Sequence, residues 1–136
     1  MAKIENVHLL EEVYGRFPSF HDAEVLQIVL KRASTKILPT MEAQVHVFEM
    51  TSEVHKDGRY VLKHHRLVTF QFLEIDGLLI NGFNHQNPLD RLTIKDISDE
   101  QIEWINFEVH FEADWGVDAR FQCRSIKIVS VVPFSK

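Results

Sequence analysis

Apolar side chains fall at every second position through most of this chain, the spacing of strands that bury one face. Leu26, Ile28 and Leu30 face one way, against Gln27 and Lys31. Ala43, Val45 and Val47 oppose Gln44 and His46, and Val68, Phe70 and Phe72 oppose Thr69 and Gln71. Shorter apolar sets follow at Leu78 and Ile80 and at Leu92 and Ile94, then a long one at Ile105, Phe107, Val109 and Phe111. A final strand places Ala119, Phe121 and Cys123 on one face, and its apolar positions resume out of phase at Ile126 and Ile128. One extra residue near Arg124-Ser125 predicts a β-bulge there. Residues 3 to 14 differ: Ile4, Val7, Leu10 and Tyr14 recur at helical spacing, and Gly15 stands where a left-handed residue ends a helix.

Turn chemistry orders these segments. Asp57-Gly58, between Val54 and Tyr60, and Asp76-Gly77, between Phe72 and Leu78, both predict tight hairpins. Asp114 to Asp118 is a longer loop joining two strands, and Ser98-Asp99-Glu100-Gln101 has the spacing of a capping box ahead of a short helical turn. The expected fold is α+β, mainly β: an N-terminal helix packed on an antiparallel meander sheet or sandwich of about seven strands. With no Gly/Ser linker and no repeat, residues 1–136 read as a single domain.

Composition narrows the setting. A chain of 136 residues buries a core without needing disulfides or metal. No apolar run approaches the ~20 residues of a membrane span, and Met1 to Asn6 lack the apolar stretch of a signal peptide. The only cysteine, Cys123, fits a reducing cytoplasm. A net charge of -5 argues against nucleic acid as the partner and permits an acidic surface aimed at a basic one. No membrane partner and no cofactor are expected.

Catalytic and metal motifs are sparse. The eight histidines show no metal-ligand spacing. His64 and His65 are neighbours on a strand and leave opposite faces, so the remaining metal set is a distant one of His21, Asp22 and His46. Cys123 shares a strand face with Phe121 and reads as a buried apolar residue. There is no nucleophile elbow, phosphate loop or dinucleotide fingerprint. The densest polar segment is Phe17-Pro18-Ser19-Phe20-His21-Asp22-Ala23-Glu24-Val25. As a structural corner, Asp22 would accept backbone amides, His21 would tie the corner to the sheet and Phe17 and Phe20 would plug the gap beneath the helix. As chemistry, His21 and Asp22 form an acid-base pair. The amide-rich loop Gly82 to Pro88, with Asn84 and Gln86, reads as a self-capped turn or as the other wall of a ligand site with His21 and Asp22.

Charge gives the clearest surface signal. From Asp96 to Asp118 the chain carries eight carboxylates and no Lys or Arg. With Ile105, Phe107, Val109 and Phe111 inward, the opposite face shows Trp104, Asn106, Glu108, His110 and Glu112, with Asp114 and Trp115 at its rim. Acids around aromatics are the composition of a surface for a basic protein.

The hexapeptide Phe20-His21-Asp22-Ala23-Glu24-Val25 resembles the FHDAEV signature of the immunity protein 50 family of small bacterial proteins. Leu67 to Phe72, Gly82 to Asn87 and the closing run through Phe121 and Cys123 resemble the same pattern. The resemblance spans about Phe17 to Val131. It implies a mostly β protein that neutralises a polymorphic toxin by binding it, and brings no catalytic residues. The resulting expectation is a non-enzymatic cytoplasmic protein whose partner is a basic cognate toxin. The alternatives are a small-ligand site or minor enzyme at His21, Asp22, Asn84 and Gln86, and a structural domain that homodimerises through its sheet edges.

Overall fold

A computed structural model of the chain describes residues 2–32, 34 and 38–135. Helix α1 (His8–Tyr14) is followed by strands β1 (Glu24–Lys31), β2 (Thr40–Val54), β3 (Tyr60–Leu73), β4 (Asp76–Asn81) and β5 (Leu89–Asp96). A 3-10 turn (Ser98–Glu100) leads to β6 (Phe107–Ala113), β7 (Asp118–Cys123) and β8 (Ser125–Pro133). The strands form two antiparallel sheets, ordered β1-β2-β3-β8 and β4-β7-β6-β5. Their inner faces share one buried cluster. Phe72 of β3 meets Phe121 of β7 and Phe111 of β6 edge-on, with ring centres 5.0 and 5.8 Å apart. The expected mainly-β α+β class is the one observed.

The phase slip at Arg124-Ser125 is a change of sheet, not a bulge. Cys123 ends a strand of one sheet and Ile126 begins the inward face of the other. Both strands face the same core from opposite sides, so the inward parity resets. Asp76-Gly77 likewise closes no hairpin: β3 and β4 lie in different sheets, and β4 pairs with β7. The two crossings touch, because the Arg124 N–H donates to the Leu73 carbonyl at 3.0 Å. Asp57-Gly58 does lie in the β2–β3 hairpin, within a five-residue loop, His55–Arg59, closed by the Val54–Tyr60 pair. Splitting the last predicted strand brings the count among the described residues to eight.

Two further expectations shift. A register irregularity between Val25 and Gln27 lets Val25 and Ile28 turn inward and leaves Leu26 and Leu30 exposed. The helix begins at His8 rather than near residue 3, because the preceding backbone is used by β8. Glu5 donates to the Ile126 carbonyl and accepts from the Ile128 N–H, both at 2.9 Å. Gly15 ends the helix in the left-handed region as expected. The 3-10 turn is held by Asp96, whose Oδ1 accepts the Ser98 N–H at 2.9 Å and hydroxyl at 2.6 Å, in place of the predicted capping box. Tyr14 fixes the helix end by donating its hydroxyl to the His64 carbonyl at 2.6 Å.

Candidate functional site

The corner before β1 is held against local backbone preference. Phe20 and Asp22 both have positive φ, 64° and 63°, a region that costs non-glycine residues about 1 kcal/mol or more. Partners on every side compensate. Asp22 donates its N–H to the Leu89 carbonyl at 2.9 Å, Ala23 accepts from the Leu89 N–H at 2.8 Å, and Ser19 accepts from the Leu92 N–H at 3.2 Å. The corner thus covers the free edge of β5. Phe20 is fully buried, with its ring 5.6 Å from those of both Phe17 and Phe70. His21 donates from Nδ1 to the Asp90 carbonyl at 2.9 Å and keeps Nε2 3.6 Å from Asp22. That carbonyl, and then the Asp22 charge, raise the His21 pKa above its ordinary value. His21 ties the corner to the sheet, whereas Asp22 engages the sheet by donating its own N–H rather than by accepting backbone amides at its carboxylate as expected.

Behind the corner, loop 82–88 is organised by Asn87, a buried residue absent from the predicted site. Its Oδ1 accepts the N–H groups of Asn84 at 2.8 Å and Val117 at 3.1 Å. Its Nδ2 donates to the carbonyls of Asn84 at 2.9 Å and Val25 at 3.4 Å. Gly82 and Gly116 let this loop and loop 114–117 interlock: a Cβ on Gly82 would strike the Gly116 carbonyl, and one on Gly116 would lie 2.5 Å from the Gln86 carbonyl. The sequence signal for Asn87 was its place before Pro88 in an amide-rich run, which marks a turn without saying which amide is central.

Three loops therefore converge at one end of the sandwich: the His21 corner, the Asn84–Asp90 stretch, and 113–118. Asp114 and Trp115 both donate their N–H groups to the Pro88 carbonyl. Trp115 lies edge-on to His85 at 5.2 Å. The predicted rim residues Asp114 and Trp115 thus join the predicted alternative site. Gln86 and Asp22 line a cleft of about 170 Å³ with Glu24 and His46, and His21 borders a second of about 230 Å³. Asn84 faces its own loop, its Oδ1 accepting the His85 N–H at 2.9 Å.

Trp104 lies elsewhere. It precedes β6 whereas Trp115 follows it, and it walls a cleft of about 390 Å³ with Leu38, Pro39 and Ile75. Asn106 is tied down by donating to the Arg124 carbonyl at 2.9 Å. Between these ends, Glu108, His110 and Glu112 do share the outer face of the second sheet, but neighbouring strands place Lys95 beside Glu108, Arg120 beside His110 and Arg91 beside Glu112. His110 also contacts Asp118 at 3.1 Å, and Thr93 donates to Glu112 at 2.7 Å. A segment without basic residues does not yield a face without them, because cross-strand partners come from elsewhere in the chain. At the loop end the Asp22, Asp90 and Asp114 carboxylates all act on His21, Asp90 and Glu112 flank Arg91, and Asp118 meets His110.

Among the described residues, no three His, Cys, Asp or Glu side chains stand where one metal ion could be held. The buried His46 is hydrogen-bonded to His65, with Nε2 and Nδ1 2.9 Å apart. Burial pushes the Cys123 thiol up to about 12, far from a reactive thiolate.

The family model for immunity protein 50 matches residues 6–134. The chain belongs to the immunity protein 50 family. Within this family member the matched span includes both sheets, the corner and all three converging loops. No match to a curated protein or to a solved structure was found. No helix among the described residues is long and apolar enough to cross a membrane.

Proposed function

We propose that this chain is a non-enzymatic immunity protein that binds and neutralises a basic cognate toxin. The loop end would be its centre of contact. The observation carrying this reading is the half-exposed Trp115, braced by His85 and next in the chain to Asp114, whose carboxylate acts with those of Asp22 and Asp90 on His21. A rigid aromatic supplies contact area at small entropic cost, while carboxylates around it steer a cationic partner and fix its orientation. Phe83, also exposed, extends the apolar centre. Glu108 and His110 continue the surface along β6 toward Trp104 and Asn106.

The test is association with the product of the adjacent gene in the native host, followed by surface plasmon resonance. Trp115→Ala is expected to weaken binding about 10–100-fold, mainly through faster dissociation. Glu112→Lys with Asp114→Lys is expected to slow association about tenfold at low salt and to flatten its salt dependence. Unchanged association in the charge-reversed protein would sink the acidic surface, and absence of any complex would sink the immunity reading. The clefts at His21 and Asp22 favour this reading over a small-ligand site, since both are smaller than the roughly 300 Å³ at which ligand pockets begin.

A further inference from the structure

The cleft at the opposite end of β6 carries chemistry of its own. It forms where the chain crosses twice between the sheets, so its walls are main chain fixed by the fold. The Ile75 N–H donates to the Pro39 carbonyl at 3.1 Å, and the Arg124 N–H donates to the Leu73 carbonyl at 3.0 Å. Leu38, Pro39, Ile75 and the ring of Trp104 make most of the lining apolar. Two carboxylates and one guanidinium border it. Arg124 is already engaged, with Nη1 3.2 Å from Glu74 Oε1. Asp76, exposed at the lip, has no ion-pair partner among the described residues. Outside the lining, the segment leading to Trp104 carries Asp99, Glu100 and Glu103 and no cation.

We propose that this cleft is a receptor for one arginine or lysine side chain of a partner polypeptide. The aliphatic stem lies along Leu38, Pro39 and Ile75, the cationic head rests over the Trp104 ring, and Asp76 accepts its hydrogen bond. Each contact suits that occupant: long basic side chains bury their stems, cations are drawn to an indole face, and a charge-assisted bond to a carboxylate is stronger than a neutral one. Among the described residues lining the cleft, an anion meets only Arg124, which Glu74 neutralises. A neutral apolar group gains the walls alone and leaves Asp76 unused. The assignment rests on the proposed basic toxin only for the source of the side chain, since the slot's chemistry is independent of it.

The test uses Trp115→Phe protein, whose fluorescence then reports Trp104 alone. Titration with n-butylguanidinium is expected to give a saturable change, with Kd on the order of millimolar. The neutral n-butylurea, and Asp76→Asn protein titrated with n-butylguanidinium, are expected to bind at least about fivefold more weakly. Equal responses to both probes, an unchanged titration in Asp76→Asn, or no saturable response overturns the proposal. No toxin takes part in this measurement, so its failure leaves the toxin-binding reading standing. Loss of that reading likewise leaves the titration result untouched.

Discussion

Asn87 shows how much one side chain does in this molecule. A single buried amide satisfies two N–H groups and two carbonyls from the 82–88 loop, β1 and the 114–117 loop. Asn87→Ala strands the Val25 carbonyl and the Val117 N–H away from water, and a loss of about 2–4 kcal/mol is expected in urea unfolding. Gly116 is as constrained: its φ is 92°, and an added Cβ meets the Gln86 carbonyl at 2.5 Å and Asn87 Oδ1 at 2.7 Å. Gly116→Ala is expected to cost about 2 kcal/mol or more by the same measurement. Cys123 makes the opposite kind of prediction. With its thiol buried and its pKa raised to about 12, it is expected to stay unreactive toward a thiol reagent at pH 8 until the protein is unfolded.

At the scale of elements, α1 is short and relies on Tyr14 for its anchorage. Burial of the phenol, with a smaller push from the Glu49 charge against the pull of Arg66, raises the Tyr14 pKa from 10.0 to about 12. A raised folded-state value means this contribution is complete below pH 10 and is lost as pH climbs through about 12. Urea midpoints measured across that window are expected to fall more steeply in the natural protein than in Tyr14→Phe. The phenylalanine variant should itself be about 1 kcal/mol less stable at neutral pH. The strands were legible in the sequence because period-two alternation survives wherever one face is buried, as in β2, β3 and β6. Sheet membership was not legible. A strand that changes sheets and a strand with one extra residue shift inward parity in the same way, so Arg124-Ser125 looked like a bulge. Asp76-Gly77 misled for a related reason, since the positive φ of Gly77 serves a crossing as well as it serves a hairpin. The His21 corner was readable as a clasp from its aromatics and from a histidine able to reach the sheet. Its two left-handed residues were not, because they are imposed by the edge of β5.

Over the whole molecule, two sheets depend on one layer of aromatic contacts. Phe72 touches Phe70, Phe111 and Phe121, and Phe72→Ala is expected to cost about 3–5 kcal/mol in urea unfolding. Charge is distributed on the same scale. The acidic run from residue 96 to 118 is broken up by cations of β5 and β7 across the sheet face. The sequence pattern suggested an all-acidic face along β6 because it shows one strand without the Lys95, Arg120 and Arg91 that stand across from it. The pairing of Glu5 with β8 sets an order of events during synthesis. The Glu5 backbone waits without its β8 partners while the ribosome makes everything up to Ile128, on the order of ten seconds at ordinary elongation rates. Until β8 leaves the ribosome, the first sheet is one strand short and the amino-terminal segment has no edge to join.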